Sequence, residues 1–125
     1  MVRSLPGAVL RFATRLRREG LPPALAAQVH LLRGLLFEQQ GDKAAAAGEF
    51  ERLRRFYFGF PEALAATIFH GDLVRPDSPR EAVALYKRAL SQVAGTEEAY
   101  HNPWLPAEQF RQRLSQAVDD LSARG

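Results

Sequence analysis

The side chains that could carry out chemistry are scattered along this sequence instead of being grouped in a catalytic pattern. The three histidines are His30, His70 and His101, and none lies in a His-Glu-x-x-His segment of the kind that binds zinc. A metal held by His30 and His70 would need a third ligand, and Asp72 is the only acid close to either one. We therefore expect polar histidines at partly buried helix surfaces, with no metal and no cofactor.

Nucleophilic and acid–base catalysis are not predicted either. The chain has no cysteine, which excludes a thiol nucleophile and a thiolate metal site. It contains no Gly-x-Ser-x-Gly motif, no phosphate-binding glycine-rich loop with lysine and no dinucleotide-binding fingerprint. The adjacent acids Glu97-Glu98 and Asp119-Asp120 would diverge on a helix, so neither pair can share a proton. The sequence predicts a protein without enzyme activity.

One segment combines arginines with aromatic residues, as surfaces that bind single-stranded nucleic acid do. It covers residues 54–60 and reads RRFYFGF. Such surfaces stack bases on exposed rings, whereas this segment ends a predicted helix, and we expect its rings to pack between helices. The net charge is only +3, from 17 basic and 14 acidic residues, so the attraction for nucleic acid is weak. We expect a partner other than nucleic acid.

A second basic feature lies near the N-terminus, where five arginines precede the first acid, Glu19. Arg11, Arg15 and Arg18 form a basic face on a helix predicted over residues 4–19. This face could rest on an anionic membrane surface or on an acidic partner. An arginine-rich, acid-poor start is also typical of a mitochondrial transit peptide, but a first helix with a basic outer face is the favoured interpretation.

The amino-acid composition and the positions of proline and glycine predict an all-α protein. The chain has 125 residues, which is the length of one domain over residues 1–125. Residues that favour helices dominate the composition, and no segment alternates apolar and polar residues as a half-buried strand does. Proline and glycine divide the chain into about six helices, the last over residues 106–122. No run approaches the roughly 18 apolar residues of a membrane-spanning helix, so we expect no transmembrane segment and a cytoplasmic protein.

Local signals predict where several helices begin and end and which side they bury. Gly41 ends the second helix, and Asp42 is placed to cap the third. Residues 78–81, SPRE, predict a capping box at the start of the fifth helix, in which the serine and glutamate side chains each bond a backbone amide. The main apolar stripe of the second helix consists of Leu25, Val29, Leu32 and Leu36.

Two neighbouring pairs of predicted helices share a pattern of small and aromatic residues. The first copy has spacings of three, four, five and four, at Gly34, Phe37, Gly41, Ala46 and Phe50. The second copy, about 36 residues later, lacks the turn glycine and is one residue shorter, with Gly71, Val74, Ala82, Tyr86 and Ala89. Over residues 27–93 this pattern resembles the tetratricopeptide repeat. An irregular helical bundle is the alternative.

The resemblance implies both an architecture and a function. It implies antiparallel helix pairs stacked as a short solenoid, with Gly34 and Ala46 allowing close approach of two helices. In this family the first helix of each repeat lines a concave groove that holds a peptide or a helix. Carried over to this chain, the groove residues are Gln28, Leu31, Leu35, Glu38, Ile68, Asp72 and Arg75. The implied function is a non-catalytic protein–protein interaction module, either an adaptor or a chaperone-like scaffold, whose partner is another protein or peptide.

Two alternatives stay open for this surface and for the function. The second helix is apolar around much of its circumference, so it is either deeply buried or covers a partner. The first or the last helix of the chain could therefore fill the groove in place of a partner. The alternative function is a basic helical domain that binds nucleic acid or an anionic membrane surface. Salt separates these functions, because phosphate binding weakens steeply as salt rises.

Overall fold

Five α-helices make up the part of the chain that the structure describes. The structure is a computed structural model, and it describes Gly7, Arg11 and residues 20–93 and 102–123. The helices are α1 Pro23–Gln39, α2 Lys43–Phe56, α3 Pro61–Val74, α4 Pro79–Val93 and α5 Ala107–Ala123, and there is no strand in these ranges. The all-α prediction is confirmed. Of the about six predicted helices, five lie among the described residues, and the helix predicted over residues 4–19 lies outside them except for Gly7 and Arg11, which are helical.

Each helix packs against the next one along the chain. Contacts join α1 to α2, α2 to α3, α3 to α4 and α4 to α5, and further contacts join α1 to α3 and α3 to α5. The turns between α1, α2, α3 and α4 are three or four residues long. Packed helices joined by such short turns run in opposite directions. Among the described helices, α3 is therefore the central one, since it contacts the other four.

The turn between α1 and α2 is built as its sequence predicts. Gly41 has a φ of +83°, a conformation that glycine adopts without steric cost. The backbone amide of Asp42 donates to the Phe37 carbonyl at 2.9 Å, and that of Gly41 donates to the Glu38 carbonyl at 3.0 Å. The Asp42 carboxylate then accepts a hydrogen bond from the Ala45 amide at 3.1 Å. The predicted helix end and the predicted cap are both confirmed.

The cap of α4 forms only in part. The Ser78 hydroxyl accepts a hydrogen bond from the Glu81 amide at 3.4 Å, as the capping box requires. The backbone amide of Ser78, however, donates to the Val74 carbonyl at 2.7 Å, and the Glu81 side chain is exposed. The predicted reciprocal bond from Glu81 is wrong, because the tight turn after α3 already uses the amide that it would bind.

The predicted small-residue positions mark two close helix contacts of the same kind. A Cβ added to Gly34 would lie 2.6 Å from Cε1 of Phe50, so α1 and α2 can approach only because this residue is glycine. A Cβ added to Gly71 would overlap the ring of Tyr86 in the same way, between α3 and α4. Both rings are fully buried. Two consecutive helix pairs therefore share one glycine-against-ring contact.

Helix α3 separates two hydrophobic clusters. The first cluster lies among α1, α2 and α3 and contains Ala27, Leu31, Ala46, Phe50, Leu53, Ala65, Ala66 and Leu73. The second lies among α3, α4 and α5 and contains Leu64, Ile68, Ala82, Val83, Tyr86, Ala89, Leu105, Phe110 and Ala117. Phe69 packs against both clusters. We call them the first and the second cluster below.

The buried side of α1 differs from the predicted stripe. Of the predicted residues, Val29 is buried, but Leu25 is 36% exposed and Leu32 is 38% exposed. The residues that face α2 and α3 are instead Ala27, His30, Leu31 and Gly34. The prediction relied on large apolar side chains alone and therefore chose the wrong face. Helix α1 meets its neighbours on the side where small residues permit close packing.

Candidate functional site

The predicted concave groove is closed at two of its three apolar residues, Leu31 and Ile68. Leu31 has no exposed surface and belongs to the first cluster, and Ile68 has none and belongs to the second. The prediction that these two side chains line an open groove is wrong, because neighbouring helices of the same chain cover them. On α1, Gln28 is exposed, whereas Leu35 and Glu38 are partly buried. Leu35 packs against the first cluster.

Two polar residues of the predicted groove, Asp72 and Arg75, pair with α5. Asp72 accepts hydrogen bonds from the Tyr86 hydroxyl and forms an ion pair with Arg113. Arg75 Nε lies 2.9 Å from an Asp120 carboxylate oxygen. These contacts place α5 along the polar edge of α3. The alternative in which the last helix of the chain covers this surface agrees with the arrangement.

A short segment before α5 packs beside the same surface. The indole Nε1 of Trp104 donates to the buried Glu62 carboxylate at 2.7 Å, and the ring packs against the first cluster, which contains Leu31. The Asn102 side chain donates to the Pro61 carbonyl at 2.8 Å and so holds the segment at the start of α3. No spacing pattern in the sequence connects Trp104, which follows α4, with the start of α3.

His30 is part of a buried polar network around Glu49. Its Nδ1 lies 2.9 Å from Oε1 of the buried Glu49, and Arg33 Nε lies 3.4 Å from the other carboxylate oxygen. Burial alone would raise the pKa of Glu49, but the hydrogen bond with His30 and the charge of Arg33 hold it below its usual value. No group of three metal-ligating side chains occurs among residues 20–93 and 102–123.

His70, on α3, has a different partner on α2, Arg54. An NH2 group of Arg54 donates to His70 Nδ1 at 3.2 Å. Burial and the charge of Arg54 both lower the pKa of His70, so the ring is neutral and its Nδ1 is an acceptor. Burial and the nearby charge of Arg88 lower the pKa of Arg54 in turn. The two histidines therefore have separate polar partners, Glu49 for His30 and Arg54 for His70.

The arginine–aromatic segment is more exposed than its sequence predicts. Phe56 is 70% exposed and Phe58 is 69% exposed, whereas Tyr57 and Phe60 pack against the first cluster. The expectation that all the rings pack between helices is wrong for Phe56 and Phe58. The chain turns at Gly59, where φ is +97°, directly after the exposed Phe58.

Two cavities open on either side of Phe58, and together we call them the Phe58 groove. The larger has a volume of about 500 Å³ and carries the polar groups Arg54, Arg88, Ser91 and Gln92. The smaller has a volume of about 290 Å³ and carries the apolar groups Phe60, Pro61, Leu64 and Val93. Phe58 and Gln92 line both cavities. The groove is the candidate site, since it combines cationic donors and apolar walls at one exposed ring.

The remaining predicted site is the basic face near the N-terminus. Arg11 is helical and exposed. Arg15 and Arg18 lie outside the described residues, so the structure does not test whether the three arginines form one face.

Comparisons with known proteins add no further assignment. No family model, no curated protein and no solved structure matches this chain. None of the helices among the described residues is both long enough and apolar enough to cross a membrane.

Proposed function

We propose that this chain is a non-catalytic protein-interaction module that acts as an adaptor or scaffold in the cytoplasm. The observation that carries the proposal is the exposure of Phe56 and Phe58 side by side at the α2–α3 turn. Burying a phenylalanine side chain is worth about 1.5–3 kcal/mol. Neighbouring large apolar side chains left in water therefore mark a surface that a partner covers.

The repeated helix pairs support the same class of function. The glycine-against-ring contact at Gly34 and Phe50 recurs at Gly71 and Tyr86, in pairs that follow one another along the chain. This repetition is what a tetratricopeptide-like solenoid would have, and helical repeats of that kind present extended binding surfaces. In this chain we place the binding surface at the Phe58 groove, because α5 and Trp104 occupy the surface that the resemblance implied.

Selection from a random peptide library displayed on phage tests this proposal. We expect the intact protein to enrich peptides that bind with a dissociation constant in the micromolar range, about −8 kcal/mol. The double variant Phe56→Ser with Phe58→Ser should lose these peptides. The double variant Leu25→Ser with Leu32→Ser is the matched control, because it removes two exposed apolar side chains from α1 instead. Failure to enrich any peptide that depends on Phe56 and Phe58 would overturn the proposal.

Binding of single-stranded nucleic acid is the second candidate function. The exposure of Phe56 and Phe58 next to Arg54 and Arg55 favours it, since bases stack on exposed rings beside positive charge. A labelled oligothymidylate distinguishes it from the first. Its affinity should fall steeply between low and moderate salt if phosphate contacts dominate, whereas a peptide held by apolar contacts should lose little. The same salt series with anionic vesicles tests the membrane form of this alternative.

A further inference from the structure

We infer that the Phe58 groove binds an acidic peptide in which a carboxylate side chain is followed closely by an apolar one. This inference rests on the proposed function and adds the chemistry of the partner. The carboxylate would lie in the larger cavity, beside Arg54 and Arg88, and the apolar side chain in the smaller one, beside Phe60 and Leu64.

The larger cavity is built to receive an anion. Arg54 and Arg88 are close enough that the charge of Arg88 lowers the pKa of Arg54, and two cations this close favour an anion between them. Ser91 and Gln92 add hydrogen-bond donors to the same wall. Arg54 Nε is buried without a hydrogen-bond partner. His70 holds the guanidinium in place by accepting its NH2 hydrogen bond at 3.2 Å.

The smaller cavity has the opposite chemistry. Its apolar walls are the side chains of Phe60, Pro61, Leu64 and Val93, its polar members are Gln92 and Asn102, and Phe58 is shared with the larger cavity. A volume of about 290 Å³ accommodates one aliphatic or aromatic side chain. Phe58 would then lose much of its contact with water against the bound chain, which gives its exposure in the free protein a physical reason.

The distance between the cavities limits the spacing within the peptide. Because Phe58 and Gln92 line both cavities, the two sites are separated by one side chain. An extended chain advances roughly 3.3–3.6 Å per residue, and alternate side chains point the same way. The acidic and apolar side chains should therefore be about two residues apart.

A peptide fits this groove better than a nucleic acid does. A single strand requires positive charge along several successive phosphates. Here the cationic cavity adjoins an apolar one, Arg55 pairs with Glu51 at 3.7 Å, and the charges of Glu51 and Glu81 both act on Arg54. The net charge of the whole chain is +3. One or two carboxylates match this local charge, whereas a continuous phosphate backbone does not.

Fluorescence anisotropy with defined probes tests the inference. The probe is a fluorescein-labelled nonapeptide made of three glutamate–glycine–leucine triplets. Matched probes replace every glutamate by glutamine or every leucine by serine, and a nine-residue oligothymidylate carries the same label. We expect the first probe to bind about tenfold more tightly than either matched peptide, and more tightly than the oligothymidylate. Equal binding of the glutamine peptide, or tighter binding of the oligothymidylate, would overturn the inference.

Variants of the protein locate the binding. Arg88→Glu should weaken the glutamate probe about tenfold, and Phe58→Ser should weaken it by a similar factor. Both residues are exposed, so circular dichroism should show that the fold is unchanged. Arg111→Glu is the matched control, because it makes the same change of net charge at an exposed position of α5. Equal loss in Arg88→Glu and Arg111→Glu would contradict a local site.

Measuring the glutamine probe with the Arg88→Glu protein tests directly whether Arg88 contacts the carboxylate of the peptide. If Arg88 meets the carboxylate, the glutamine probe should bind Arg88→Glu no more weakly than it binds the unmodified protein. Additive losses would contradict that contact. Display-selected peptides that depend on Phe58 but need no acid would overturn this inference and leave the proposed function standing. A failure of the display selection itself would overturn the proposed function.

Discussion

At the scale of single residues, the arginine–histidine contact across α2 and α3 depends on a proton. His70 can accept the hydrogen bond from Arg54 only through a ring nitrogen without a proton. Burial and the charge of Arg54 lower the pKa of His70, and both favour this neutral form. A protonated ring would leave two cations in contact at a buried position.

This arrangement predicts a loss of stability in mildly acidic solution. In the unfolded chain His70 has a pKa of about 6.5 and binds a proton before the folded protein does, so stability rises with pH in this range. We expect the urea midpoint to fall as pH decreases from about 7 to about 5. The fall should be smaller in His70→Gln, whose amide oxygen still accepts the hydrogen bond. Glu49 is not involved in this range, because its lowered pKa acts at more acidic pH. The same fall in both proteins would contradict the role of His70.

The two glycines packed under aromatic rings should not tolerate even a methyl group. Gly34→Ala and Gly71→Ala should each destabilise the protein by about 1–3 kcal/mol, since the added methyl group overlaps the ring of Phe50 or Tyr86. Gly48→Ala is the matched control. Its Cβ would meet nothing within 4 Å on α2, and alanine there should stabilise the helix by about 0.5–1 kcal/mol. Urea unfolding followed by circular dichroism measures all three. Equal effects at the three positions would show that ring contact does not matter.

At the scale of elements, α1 shows why hydropathy alone does not identify a buried face. Leucines occupy several sides of this helix, so more than one stripe satisfies helical spacing. The structure buries the side with Ala27 and Gly34, where a neighbouring helix can come close. Leu31 lies on that side and is fully buried. Leu32, the next residue, points away from it and is 38% exposed.

Adjacent leucines on α1 provide a direct test. Leu31→Ala should cost about 2–5 kcal/mol, because it leaves a cavity in the first cluster. Leu32→Ala makes the same chemical change at a partly exposed position and should cost much less, within about 1 kcal/mol. Thermal unfolding measured by circular dichroism compares them. If Leu32→Ala were the more damaging change, the predicted stripe would be correct and the packing of α1 described above would be wrong.

Helix positions were predictable from sequence because their signals are local. Asp42, Gly41 and the proline at residue 79 determine helix ends through hydrogen bonds and backbone angles within a few residues. The spacing of Gly34 and Phe50 predicted a helix contact because both lie in one helix pair. The position of Trp104 beside Glu62 was not predictable in this way, since a long connection brings them together.

The candidate site was predictable only in part, for the same reason. The run at residues 54–60 was recognisable as an unusual mixture of basic and aromatic side chains. Its exposed rings depend on the turn at Gly59, and the second wall of the groove comes from Arg88, Ser91 and Gln92 on α4. No sequence pattern joins these two segments. Asp72 and Arg75 pair with α5, a contact that only the alternative with the last helix in the groove allowed for.

At the scale of the whole molecule, α3 links the two clusters into one folding unit. Its side chains enter both clusters, with Ala65 and Leu73 in the first and Leu64 and Ile68 in the second. Phe69 packs against both. Damage to one cluster therefore changes the packing that supports the other.

Cooperative unfolding is the prediction at this scale. Trp104 is the only tryptophan, and it reports on the first cluster, whereas circular dichroism reports on all the helices. We expect both signals to change at the same urea concentration. Phe110→Ala removes a ring from the second cluster and should lower both midpoints together, by about 3–5 kcal/mol in free energy of unfolding. A tryptophan midpoint that stayed in place would show that the two clusters unfold separately.

The two-sided burial of α3 also has a consequence during synthesis on the ribosome. Once Val74 has left the exit tunnel, α1 and α2 can already cover one side of α3, but the side that carries Leu64 and Ile68 stays open. That side is closed only after α4 and α5, some 50 residues later, have left the exit tunnel. At about 5–20 residues per second, the nascent chain exposes this apolar surface for several seconds. During this interval a ribosome-associated chaperone at the tunnel exit would find the largest apolar surface to bind.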